Sequence, residues 1–225
     1  RDRLEGVRDT PVDIVVTSRD PVTVLGGHRY LAPDAWMTQG SVTPDQVRAL
    51  RGVEGTRAVG AGVLDLLGPR EVFDAECARV VFQVNEILSR GRPRVLVLAL
   101  ETVLTGVRAS IEDMERASGQ SGQQASTLLT IRFGILARLV ADMIGPESCA
   151  GFYLTGGDVM INSCLTLGAK GITLVDYVIP QIDQGRISGG PYDGVPIVCK
   201  GGLTGSTDTA ILSVNRLFDE RKISQ

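Results

Sequence analysis

Two glycine-rich runs in the last third of the chain carry residue types suited to binding an anion. The first is Leu154-Thr155-Gly156-Gly157-Asp158. The second is Lys200-Gly201-Gly202-Leu203-Thr204-Gly205-Ser206-Thr207-Asp208. Glycine lets a backbone come close to a ligand, and the free N–H groups at a helix start point at negative charge. Two such turns on one sheet could hold a polyphosphate, which makes a nucleotide the first ligand to consider. Lys200 would add a point cation; the competing reading is a solvated residue that closes a strand. Asp158 would position Mg2+ or hydrogen-bond a ribose hydroxyl, against a plain role at a helix start. Asp208 reads better as a helix cap than as a ligand group.

The elements that must position these turns follow from the pattern around them. Residues 151–154 and 195–199 are short apolar runs that read as strands, each opening onto a periodic stretch that reads as a helix. Earlier, residues 12–17 read as a strand, 44–51 as a helix, 69–90 as a long amphipathic helix and 94–100 as a buried strand. The run Gly40-Ser41-Val42-Thr43-Pro44-Asp45 is a turn in which Ser41 or Thr43 caps the following helix. Residues 59–66 are apolar and ambiguous. Residues 105–124 are polar, with a flexible loop at 118–122 and a solvated charge cluster of Glu112, Asp113, Glu115 and Arg116. A second long helix is expected over 125–144, a helix over 159–167, a strand over 171–179, a hairpin or lobe over 184–193, and a last helix to about residue 218. Alternating strands and helices predict an α/β layered fold, a largely parallel sheet with helices on both faces. No linker or repeat divides the chain, so residues 1–225 are read as a single domain.

Bulk composition removes several classes of function. The formal net charge of −3 gives no basic field for nucleic acid or an anionic membrane, and 4% aromatic residues leave few base-stacking platforms. The cysteines Cys77, Cys149, Cys164 and Cys199 are far apart and His28 is the single histidine, so zinc spacings and redox pairs are absent. Free thiols in apolar stretches point to a reducing, cytoplasmic compartment, and no apolar run is long enough to span a bilayer. His28 reads as a loop residue, and Arg132 and Arg138 as surface-pairing or contact residues on the long helix. The chain begins with Arg1 and reads as a piece of a longer polypeptide.

The order Gly-Ser-Val-Thr, Thr-Gly-Gly-Asp and Lys-Gly-Gly-x-x-Gly-x-x-Asp resembles the C-terminal half of the four-carbon acid sugar kinases over residues 13–218. The resemblance implies an ATP-dependent kinase acting on small sugar acids such as threonate or erythronate. This half would hold ATP and Mg2+, and a preceding half would hold the sugar acid. Carried over by motif, Ser41 touches ATP from the first turn, Gly156, Gly157 and Asp158 from the second, and Lys200, Gly201, Gly202 and Gly205 from the third. The catalytic group stays open, with Asp158 as the candidate, and no protein metal site is expected. Two departures stand out: Val159 where the family often has threonine, and Leu203-Thr204-Gly205 where it often has an aromatic residue before the glycine.

Two other functions remain open at this level. One is a non-catalytic module that binds a nucleotide or another phosphorylated metabolite. The other is a dinucleotide-dependent oxidoreductase, which lacks support because no Gly-x-Gly-x-x-Gly stands early in the chain. A homo-oligomer is compatible with the sequence.

Overall fold

The computed structural model describes residues 43–223 except 106, 108, 202 and 203. The strand expected over 12–17, and with it His28, Ser41 and Gly202, lies outside the described residues.

The elements run in the order α1 (Thr43–Arg51), β1 (Thr56–Ala61), α2 (Val63–Leu67), α3 (Arg70–Ser89), β2 (Val95–Leu100), α4 (Glu101–Thr105), α5 (Ile111–Ser118), α6 (Gly122–Ile144), β3 (Phe152–Thr155), α7 (Gly157–Thr166), β4 (Gly171–Ile179), β5 (Ile182–Ser188), β6 (Pro196–Lys200) and α8 (Thr209–Ile223). Strands β1 and β2 pair in parallel. The second sheet has the order β3-β6-β5-β4, with β3 and β6 parallel and β5 and β4 added antiparallel.

Helices cover both faces of this second sheet, and side-chain alternation along its strands shows how. Phe152 and Leu154 of β3 and Ile197 and Cys199 of β6 join a cluster with Ala141 of α6 and Cys164 of α7. Their neighbours point the other way: Val198 packs with Leu217 of α8, and Tyr153 meets Val47 and Leu50 of α1 and Ala210 of α8. The molecule is therefore the expected α/β layered fold. A cleft of about 960 Å³ runs between β2 and β3, lined among others by Leu98, Leu100, Phe152 and Leu154.

Local signals explain the long helices. Pro69 stands at the N-cap of α3, where its missing N–H costs nothing. A capping box of Ser121 and Gln124 opens α6. Within the polar stretch before it, Ile111–Ser118 is helical. Ser110 accepts from Asp113 N at 3.0 Å to open α5, and Gly119 closes it. Glu115 of the charge cluster then accepts from Gly122 N at 2.7 Å, so it helps start α6.

One contact sets where α7 lies. A Cβ on Gly134 of α6 would come within 2.8 Å of Asn162 O, so glycine lets the two helix backbones touch. The Thr166 hydroxyl sits 2.8 Å from Gly134 O across that contact.

Candidate functional site

Register brings the two glycine turns together. In the parallel β3–β6 pair, Thr155 stands opposite Lys200. The residues that follow, Gly156 and Gly201, therefore leave the same sheet edge side by side. Gly156 N donates to Lys200 O at 3.0 Å and ties one turn to the other. Helices α7 and α8 both start at this edge, so the positive ends of two helix dipoles converge there.

The second turn has the form the sequence suggested. Gly156 is the N-cap of α7 with φ of 92°, and as a glycine it offers the helix no side-chain cap. The first-turn N–H groups of α7 are thus left to partners other than the N-cap residue's own side chain. Asp158 lies inside that first turn rather than at the cap, is exposed, and enters no ion pair among the described residues.

The third turn is tighter. Gly205 has φ of 83°, and a Cβ there would overlap the Thr209 side chain. Gly201 O accepts from the Thr204 hydroxyl at 2.9 Å. Asp208 is the residue before α8, and its carbonyl accepts from Leu212 N at 3.0 Å, which is the position expected of a cap.

The glycines of the two turns divide into two kinds. Gly156 and Gly205 are required by their backbone angles. Gly157 and Gly201 are not: neither has positive φ, and among the described residues a Cβ on Gly157 would meet nothing within 4 Å and one on Gly201 would find Thr204 at 3.5 Å. The described residues do not explain why these two positions lack a side chain. Close approach of a ligand would.

Lys200 is not the solvated strand end that was one reading of it. It is 2% exposed. Burial lowers its pKa to about 8. By strand alternation it shares a face with Val198, beneath α8. Its ammonium donates to Gly201 O, the carbonyl that opens the third turn.

The structure also shows a residue that the sequence reading passed over. Gln46 of α1 is 1% exposed, and its Nε2 donates to Thr204 O and Ser206 O at 3.0 Å each. It thereby joins the third turn to the helix that follows the Gly40-Ser41 segment. A lone glutamine in an amphipathic helix carries no spacing signal that could have singled it out.

Other residues weighed from the sequence hold the fold. Arg132 donates to Leu66 O at 2.7 Å and to Gly68 O at 2.6 Å, closing the end of α2. Arg138 pairs with Asp142 at 2.7 Å. All four cysteines are free. Burial pushes the Cys164 thiol up to about 11 and the Cys199 thiol well above its usual range, so neither is a thiolate nucleophile at neutral pH. Among the described residues no helix is long and apolar enough to cross a membrane, and no group of three or more metal-ligating side chains gathers.

The family model described as a nucleotide-binding C-terminal domain matches residues 39–210. A D-erythronate kinase of Heliobacterium modesticaldum is 30% identical over 186 residues, covering 81% of this chain and 41% of that protein. A D-threonate kinase of Salmonella typhimurium is 30% identical over 152 residues, covering 66% of this chain and 34% of that protein. The chain thus spans about two fifths or less of these two relatives. Among solved structures, a domain of unknown function from Bordetella bronchiseptica, a domain-swapped dimer with bound citrate, superposes with a TM-score of 0.58. It is 24% identical and covers 81% of this chain and 39% of its own, a likeness of fold.

Proposed function

The chain belongs to the family of nucleotide-binding C-terminal domains found in the four-carbon acid sugar kinases, and from that premise we propose that it is the ATP-binding half of such a kinase. The reaction transfers the γ-phosphate of ATP to a hydroxyl of a small sugar acid such as threonate or erythronate. In this reading residues 1–225 form one nucleotide-binding domain, and the sugar acid is held mainly outside it.

The observation that carries the reading is the Thr155–Lys200 register, which sets two glycine turns and two helix starts on one edge. Phosphoryl transfer needs positioning and charge neutralisation rather than covalent chemistry from the protein. The backbone N–H groups of Gly157 and Asp158 and those along the third turn cradle the phosphates. Lys200 supplies positive charge from a buried position, where a charge acts more strongly than in water. Gly157 and Gly201 give the phosphates room to reach the backbone.

Mg2+ binds through phosphate oxygens with only one or two carboxylates from a protein, and a single exposed carboxylate, Asp158, fits that donor set. When bound, the ion would neutralise charge on the transferring phosphoryl group. Asp158 is also the candidate for orienting the attacking hydroxyl, and Ser41 belongs to the same set through its motif.

Calorimetric titration with ADP and a non-hydrolysable ATP analogue, with and without Mg2+, tests the site. Saturable, Mg2+-sensitive binding that weakens in Gly157→Ala and Gly201→Ala is the expected result. Binding that ignores both substitutions would remove the turns from the site. Phosphate transfer to threonate or erythronate by the longer protein separates a kinase from a module that only binds.

A further inference from the structure

Gln46 is held in an arrangement that packing alone does not call for. A buried amide is costly unless it is hydrogen-bonded, and methionine would fill a similar volume without that cost. Yet Gln46 is 1% exposed and directs Nε2 at two carbonyls 158 and 160 residues away, those of Thr204 and Ser206. The two acceptors also settle which way the amide is turned. Its Oε1 is buried with no partner among the described residues.

The direction of those bonds has a consequence. In a planar trans peptide the C=O of one residue and the N–H of the next point opposite ways. With the carbonyls of Thr204 and Ser206 drawn toward α1, the N–H groups of Gly205 and Thr207 point away from it. We propose that Gln46 is a positioning residue for the nucleotide site: it clamps the third turn onto α1 and so sets the direction of the Gly205 backbone donor before a phosphate arrives. The inference rests on the nucleotide reading above.

The test uses the 225-residue chain, Gln46→Met and Gln46→Glu. Affinity is measured for adenosine and for a non-hydrolysable ATP analogue, and amide hydrogen exchange is followed over residues 204–208 without nucleotide. The expected result for Gln46→Met is about tenfold weaker binding of the ATP analogue, unchanged binding of adenosine, and faster exchange at 204–208. Gln46→Glu sets a carboxylate against two carbonyls, so its loss is larger at pH 8 and shrinks at pH 5, where the protonated acid donates one bond.

Equal losses for adenosine and the ATP analogue would overturn the proposal, because they would report general loosening. Unchanged exchange at 204–208 in both variants would overturn it as well. A parent chain that binds no nucleotide would instead sink the nucleotide reading, while the exchange data would still decide whether Gln46 holds the turn. If Gln46→Glu fails to fold, Gln46→Met carries the test.

Discussion

The carboxyl end of β1 and the carboxyl ends of β3 and β6 both bury polar groups, and they do so in opposite ways. At β1 the set is closed. Glu76 accepts from Gly62 N at 2.7 Å and from Arg79, while Arg79 donates on to Gly60 O at 2.7 Å. Donors and acceptors answer one another, and the network ties α3 to β1. At β3 and β6 the set is open. The N-cap of α7 is a glycine that offers no side-chain cap, and Gln46 Oε1, Thr209 Oγ1 and Ser213 Oγ lie buried without partners among the described residues. Most buried polar groups in folded proteins are satisfied, so these three atoms beside the third turn and along α8 call for an explanation other than stability.

The largest effect that would test this contrast is at the closed end. Arg79→Ala leaves the Glu76 carboxylate buried without its cation, and should cost about 3 kcal/mol in urea unfolding. Nucleotide affinity of the folded protein should not change. The pair also gives an acid signature. Burial works against the Glu76 charge, but hydrogen bonds from Arg79 and Gly62 and the charge of Arg79 outweigh it and hold the pKa below the usual glutamate value. The stability it contributes is therefore present above the ordinary glutamate pKa and lost as pH falls through the depressed one. Thermal melts in acid should show this loss in the parent and not in Glu76→Gln.

At the open end, Gly205→Ala forces a Cβ into the Thr209 side chain at a left-handed position. It should lose about 2 kcal/mol of stability together with nucleotide binding. Lys200→Met should behave differently, with about tenfold weaker nucleotide binding at pH 7 and no loss of stability. The sign follows from the lowered pKa. Between pH 8 and the usual lysine value the unfolded chain holds a proton that the folded chain has released, so the parent gains stability as pH rises through that window. The melting curve of Lys200→Met should lack this gain.

The smallest and sharpest test is Gly157→Ala. Nothing lies near the added methyl, and alanine favours a helix, so stability should hold or rise by a few tenths of a kcal/mol (about 0.5). Affinity for the ATP analogue should fall a few-fold. A substitution neutral for folding and harmful for binding is what an open site produces; equal affinity in parent and variant would return Gly157 to the scaffold.

Much of this architecture was legible in the residues. The helices α3 and α6 show clear apolar periodicity, and β2 is an unbroken apolar run. The helix α5 was hidden because its residues are mostly polar and its signals are the caps at Ser110 and Gly119. The strand β5 was hidden because Asp183, Gly185 and Arg186 break the apolar pattern expected of a buried strand. Its pairing with β4 turns at Gln181, a non-glycine residue with φ of 71°. At the site, the glycine turns were visible as strings. The burial of Lys200 was not, since it depends on α8 lying over the strand end. Nor was Gln46, whose partners are distant in sequence and near only after folding.

The contact between α6 and α7 gives the site a further property. Because Gly134 lets backbone rest on backbone there, the second turn stands on a footing that ordinary exchange of side chains around it will not shift. The third turn leans on the amide of Gln46. The two sides of the site therefore resemble the jaws of a vice, one cast with the frame and one set by a screw.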